Sequence, residues 1–153
     1  MLKVLIVDDS KIMRNIVSVR IKECGFKVIG QASCGYEAIQ KYKLLKPDIV
    51  TMDISMPEIN QINNGIAALK WIKEYDPNAY IIMITSHGEE CKVIEAINAG
   101  AKGYMLKPVT LSKIKKVFQK LKSTKNKTNS SLIIQDRTNI DNEGNSYATQ
   151  EEK

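Results

Sequence analysis

The chain has 153 residues, 43% hydrophobic and 26% charged, with a formal net charge of +6. That is one domain's worth of an ordinary folded composition, which excludes disordered and collagen-like chains, and no apolar run nears the ~18 residues of a membrane span. One histidine and three cysteines at no metal spacing (Cys24, Cys34, Cys91) exclude a Cys/His zinc cluster and predict reduced thiols in a cytoplasmic protein.

The first apolar run, residues 2–7 (LKVLIV), predicts a strand and stops at Asp8-Asp9. It is too short for an export signal and ends in acids, not small residues. Ser10 is a good helix N-cap, and Met13, Ile16, Val17, Ile21 and Cys24 form one helical stripe before Gly25 ends it. The alternation then repeats. Strands are predicted over 27–32, 48–52, 80–84 and 103–106. Helices are predicted over about 35–45, 65–75 and 89–99, the last of these ended by Gly100. A final helix begins near Thr110 and buries Leu111, Ile114, Val117, Phe118 and Leu121. Apolar strands joined by helical crossovers imply a parallel sheet covered on both faces.

After Lys122 the pattern stops. Residues 123–153 carry few apolar side chains, Leu132, Ile133, Ile134, Ile140, Tyr147 and Ala148. Such a segment buries too little to offset its ordering entropy, so a disordered tail is expected. Leu132-Ile133-Ile134 is either an incidental triplet or a docking island. The excess of basic residues lies before this tail, but they sit singly on helical faces without aromatic interleaving. A nucleic-acid footprint is therefore not expected.

In a doubly wound sheet, ligands bind at the carboxyl ends of the strands. The first strand ends in Asp8-Asp9, the third at Asp53, the fourth in Thr85-Ser86 and the fifth in Lys107-Pro108. A lone Asp there is an ordinary cap or turn residue. Three on adjacent strand ends are not, because two carboxylates ~5 Å apart repel by about 3 kcal/mol at an effective dielectric of ~20. Lys107 supplies one counter-charge, and a hard divalent cation with oxygen ligands would supply more. Acids, an ammonium and a hydroxyl make a kit for phosphoryl transfer, with a carboxylate able to act as nucleophile.

Four blocks, Asp8-Asp9-Ser10, Met52-Asp53-Ile54-Ser55-Met56-Pro57, Ile84-Thr85-Ser86 and Gly100-Ala101-Lys102-Gly103-Tyr104-Met105-Leu106-Lys107-Pro108, together resemble those of response-regulator receiver domains, among them the stand-alone chemotaxis regulators. The likeness covers residues 1–122. It implies a flavodoxin-like (βα)5 fold, a five-stranded parallel sheet in the order 2-1-3-4-5. It implies that Asp53 accepts a phosphoryl group from a sensor histidine kinase. Asp9 would bind Mg²⁺ directly and Asp8 mainly through water, with Asp53 and the Ser55 backbone carbonyl as further ligands. Lys107 would contact a phosphoryl oxygen, Thr85 would be the switch hydroxyl and Tyr104 the switch aromatic. The Lys107–Pro108 bond would be cis. The output would be a flagellar motor switch component or a phosphatase, with no external substrate turned over. The rival within signalling is a phosphorelay intermediate serving a histidine phosphotransfer protein. A haloacid-dehalogenase-type phosphatase needs Asp-x-Asp after its first strand, and here Asp8 and Asp9 are adjacent.

The sequence departs from the pattern in several places. Gln61-Ile62-Asn63-Asn64, or a near equivalent, is an insertion beside Asp53 that either drifts neutrally or alters access and partner choice. Ser86 replaces the common Ala. His87 either orients or excludes the attacking water, or is a solvent-exposed loop residue. The tail has no counterpart in minimal members. The fourth helix, fifth strand and fifth helix would form the output face, with Ile94, Asn98, Tyr104 and Lys115 as exposed contacts.

Overall fold

The computed structural model describes residues 1–124, in which five strands alternate with five helices: β1 (Lys3–Val7), α1 (Lys11–Glu23), β2 (Lys27–Ala32), α2 (Gly35–Leu45), β3 (Ile49–Asp53), α3 (Gly65–Tyr75), β4 (Ile81–Thr85), α4 (Glu90–Asn98), β5 (Gly103–Leu106) and α5 (Leu111–Thr124). The sheet is parallel throughout, in the order β2-β1-β3-β4-β5, as expected. The chain reverses its direction of winding between β1 and β3, so ligand-binding loops gather at that rim. α5 runs two residues past the expected limit at Lys122. Residues 125–153, with Leu132-Ile133-Ile134, lie outside the described residues.

Two apolar layers sandwich the sheet. On one side Leu5, Val7, Val50, Met52, Ile81, Met83 and Tyr104 pack under α2, α3 and α4. On the other Val4, Ile6, Ile49, Ile82, Ile84 and Met105 pack under α1 and α5. Every residue of β3 and β4 is buried, which is why these strands read as mostly apolar runs, with Thr51 inside β3 and Asp53 and Thr85 at the strand ends. Phe118 of α5 meets Phe26 edge to face, with centroids 4.9 Å apart.

Helix ends follow the local chemistry. The Ser10 side chain accepts the Met13 N–H at 3.3 Å, and Asn64 Oδ1 accepts the Ala67 N–H at 3.0 Å. Gly25 and Gly100, at φ +85° and +112°, take the left-handed turns that end α1 and α4. Two expectations of burial and one of exposure fail. Ile16 is 39% exposed and shares an outer flank of α1 with Ile12 and Val19, while Ser18 takes a buried place beside Val17 and Ile21. Leu111 is only half-buried, because it opens α5 before the helix settles on the sheet. Tyr104 is 8% exposed and packs with the core, so it is not an exposed output contact; Ile94, Asn98 and Lys115 are exposed. β5 puts Tyr104 beside Met83 of β4, facing α4 rather than solvent.

The inserted segment forms an ordered turn. Ile59 and Ile62 exchange both backbone hydrogen bonds, at 3.2 and 3.1 Å, around Asn60 and Gln61. Those two central residues have φ +52° and +69°, as a type I′ turn requires. The turn turns Ile62 inward, where it packs against the core beneath α2 and α3 and fills the space a Cβ on Gly35 would occupy. Asn tolerates the left-handed region; Gln does so at a cost of about 1 kcal/mol. Gln61→Gly should therefore stabilise the protein by about 0.5–1 kcal/mol, seen as a raised urea midpoint at constant m-value. A lowered midpoint would show that the Gln61 side chain holds the turn.

Candidate functional site

The sheet delivers its polar residues to one rim. Asp8 directly follows β1, Asp53 ends β3, Thr85 ends β4 and Lys107 follows β5. Asp8, Asp53 and Thr85 are 1%, 3% and 2% exposed, and Asp9 stands exposed beside them. The backbone locks this rim together. The Ile54 N–H donates to the Ile84 carbonyl at 3.1 Å, the Gly65 N–H to the Ile54 carbonyl at 2.9 Å, and the Lys107 N–H to the Thr85 carbonyl at 2.7 Å. A Cβ on Gly65 would lie 2.0 Å from the Asp53 carbonyl oxygen, so only glycine lets α3 start this close to Asp53. The Lys107–Pro108 peptide bond is cis.

Lys107 joins the two buried acids. Its ammonium stands 3.4 Å from Asp8 Oδ2 and 3.4 Å from Asp53 Oδ1. Asp8 Oδ1 accepts the Ser10 N–H at 2.8 Å, while Asp8 Oδ2 is buried and accepts no hydrogen bond; its contact with Lys107 is purely ionic. Carboxylate oxygens of Asp8, Asp9 and Asp53 lie within 4.8 Å of one another. Burial, and then the Asp8 charge, push the Asp53 carboxyl up to about 7, against the pull of Lys107. Burial likewise raises Asp8, with the Ser10 N–H and Lys107 opposing it. Burial works against the Lys107 ammonium, but Asp53 and Asp8 outweigh it and hold its pKa above the ordinary value. One cation thus serves two buried acids, and a third carboxylate, Asp9, stands at the edge. A clustered, orphaned oxygen donor set of this kind fits a hard divalent cation such as Mg²⁺.

The structure brings together Asp8, Asp9, Asp53 and Lys107. Thr85 is turned elsewhere. Its hydroxyl faces two acceptors, Glu89 Oε1 at 3.2 Å and the Ser86 carbonyl at 3.3 Å. Sequence reasoning passed over Glu89. Its carboxylate also accepts the Ser86 N–H at 2.7 Å and the Ser55 hydroxyl. Burial raises Glu89, yet the hydrogen bonds from Ser55, Ser86 and Thr85, with Lys92 3.9 Å away, outweigh it and leave the group below its ordinary value. The available signal was an acid four residues beyond a strand-end hydroxyl. Ser55 and His87 are both exposed on their loops.

Comparison with known proteins agrees with this arrangement. Residues 4–119 match the response regulator receiver domain model, and the chain belongs to that family. Similar relatives carry a more particular description. The chemotaxis protein CheY of Thermotoga maritima is 49% identical over 119 residues, 78% of this chain and 96% of that protein. CheY of Listeria monocytogenes is 41% identical over 120 residues, 78% and 98% respectively. Among solved structures, a chain of the CheX–CheY–BeF3–Mg²⁺ complex from Borrelia burgdorferi matches with a TM-score of 0.69 and 38% identity, over 80% of this chain and 88% of that one. The protein is thus a CheY-like response regulator receiver, a signalling protein of the two-component type. Among the described residues, no helix is long and apolar enough to cross a membrane.

The raised Asp53 has a measurable consequence without divalent cations. The folded carboxyl keeps its proton up to about pH 7, whereas the ordinary value is 3.8. Between these limits the native state binds more protons than the unfolded chain, so this group's stability contribution falls as pH rises. In chelator, Asp53→Asn should melt above wild type at pH 8, by about 4 °C for each kcal/mol relieved, with the gap closing towards pH 4. A lower melting temperature for Asp53→Asn at pH 8 would mean that Lys107 attracts more than burial and Asp8 repel.

Proposed function

We propose that residues 1–122 act as a Mg²⁺-dependent aspartyl-phosphate switch in which Asp53 takes a phosphoryl group from a sensor histidine kinase. The observation that carries this reading is Lys107 held 3.4 Å from both Asp53 and Asp8 in a pocket of buried carboxylates. Such a pocket is costly for folding alone and is suited to receiving a phosphoryl group. The BeF3 and Mg²⁺ of the Borrelia CheX–CheY complex support the same reading for this chain.

An Asp53 carboxylate oxygen attacks phosphorus as the phosphorus–nitrogen bond of the kinase phosphohistidine breaks. The imidazole leaves with the electron pair and an acyl phosphate forms. Asp9, Asp53 and the Ser55 carbonyl would hold Mg²⁺ directly, and Asp8 would hold it through water. Bound there, the ion neutralises charge developing on the equatorial oxygens. Lys107 moves its ionic contact from the carboxylate to a phosphoryl oxygen. Thr85 turns its hydroxyl to another, and Tyr104, already under α4, reads that movement. Water attack on phosphorus later returns Asp53 and inorganic phosphate. The chain therefore catalyses its own phosphorylation and dephosphorylation and has no external substrate.

The high identity to CheY proteins supports chemotaxis as the pathway. The output partner is then a flagellar motor switch component or a phosphatase, met by the face of α4, β5 and α5.

Intact-mass analysis after incubation with acetyl phosphate tests the chemistry. Wild type should gain one phosphoryl adduct in Mg²⁺ and none in chelator, and Asp53→Asn should gain none. Removing Lys107 as Lys107→Ala should cut labelling by at least about tenfold, the effect of losing one charge-assisted contact of ~1.5–3 kcal/mol. An unlabelled wild type, beside a receiver control that is labelled, would overturn the reading.

A further inference from the structure

The Glu89 carboxylate draws three donors from two segments that border the site. Ser55 belongs to the β3–α3 loop, two residues past Asp53, while Thr85 and Ser86 close β4. Its own backbone opens α4: the Glu89 carbonyl accepts the Val93 N–H at 3.0 Å. Yet the side chain makes no capping bond to α4. An acid at a helix start ordinarily turns back on its own first turn. This one reaches away, into the rim, and is 12% exposed there.

We propose that Glu89 is a resting-state latch, which holds the Thr85 hydroxyl away from Asp53 and is displaced when a phosphoryl group forms. The proposal rests on Asp53 being the acceptor. Thr85 has one hydroxyl proton, and it cannot serve Glu89 and a phosphoryl oxygen at once. Phosphorylation also converts one carboxylate charge to about two and adds acceptor oxygens that compete for the same donor. The arriving group accepts the Thr85 hydrogen bond in place of Glu89 and repels the Glu89 carboxylate. Both effects act in the same direction, so the latch opens when the site is filled. Because the Glu89 backbone starts α4, and Val93 packs in the same apolar layer as Tyr104, release frees the first turn of the helix above the aromatic. Glu89 is accordingly a positioning residue. It touches no reacting atom, but it adds to the cost of forming the phosphorylated state.

The test uses the full chain as wild type, Glu89→Ala and Glu89→Gln, each shown folded by its thermal melt. The probes are beryllofluoride at saturating Mg²⁺, followed by the Ser86 amide signal, and Mg²⁺ alone. Glu89→Ala should bind beryllofluoride about fivefold more tightly than wild type, the equivalent of one net hydrogen bond. Glu89→Gln keeps an acceptor without the charge and should fall between them. Mg²⁺ affinity should change less than about twofold, well below the beryllofluoride effect. Amide exchange at Val93 in resting Glu89→Ala should rise to the level of beryllofluoride-bound wild type. Unchanged or weaker beryllofluoride binding by Glu89→Ala overturns the latch. So does a fall in Mg²⁺ affinity larger than the gain for beryllofluoride, which would make Glu89 part of the metal site. If wild type itself binds no beryllofluoride, the reading of Asp53 fails and the latch falls with it, whereas tight binding by wild type with no effect of Glu89 removes the latch alone.

Discussion

Everything at the rim follows from two carboxylates, Asp8 and Asp53, that are buried and served by a single ammonium. Lys107 sits at the same 3.4 Å from each, so it satisfies neither fully. A protein selected only for stability would replace such a group with apolar side chains of similar volume. Retaining it leaves the folded state with negative charge that a cation would neutralise and with an ammonium ready to be redirected. The rigidity of the surroundings keeps that charge from relaxing away. β3 and β4 are buried along their whole length, and Gly65 brings α3 to within contact of the Asp53 carbonyl. The acids therefore cannot swing out to water.

The same packing decides which parts can respond. α3 is fixed to the site by the Gly65 N–H bond to Ile54 and by the Asn64 cap. The inserted turn adds to that side, since Ile62 is anchored beneath α2 and α3 while Ile59 stays 42% exposed. α4 is held differently. Val93 and Ala96 pack it on the core, but its start is tied to the site by the Glu89 side chain, through a few polar bonds that another anion can compete for. On the proposed reading, a signal would leave through α4 because the start of that helix is tied to the site by these exchangeable bonds.

Much of this was legible in the sequence. Strand ends at Asp8, Asp53, Thr85 and Lys107 follow from apolar runs that stop at polar residues, and a parallel sheet leaves those ends on one rim. Other features were not legible, for physical reasons. Ile16 satisfies a helical stripe by spacing, but the width of the groove between α1 and the sheet decides which flank is covered. Tyr104 looks like a surface aromatic on an edge strand, yet α4 lies over it. The turn at Asn60 and Gln61 has no glycine to announce two left-handed residues. Glu89 is one of two adjacent acids at the start of α4, and its spacing from Thr85 is only a weak sign against Glu90. The three-dimensional approach of Ser55, 34 positions away in the sequence, singles it out.

One backbone bond links the two halves of the rim. The Lys107 N–H donates to the Thr85 carbonyl at 2.7 Å, so the residue that carries the ammonium and the residue proposed as the switch hydroxyl share a peptide-level tie. A phosphoryl group that draws Lys107 and Thr85 towards Asp53 draws two strand ends that are already paired, and it meets one resistance from the sheet rather than two. The soft degrees of freedom lie beyond them, in the Thr85 rotamer, the Glu89 carboxylate and the first turn of α4. On the proposed reading, a small displacement at a stiff pair of strands would pass to α4, whose Glu89 holds it to the site through exchangeable hydrogen bonds.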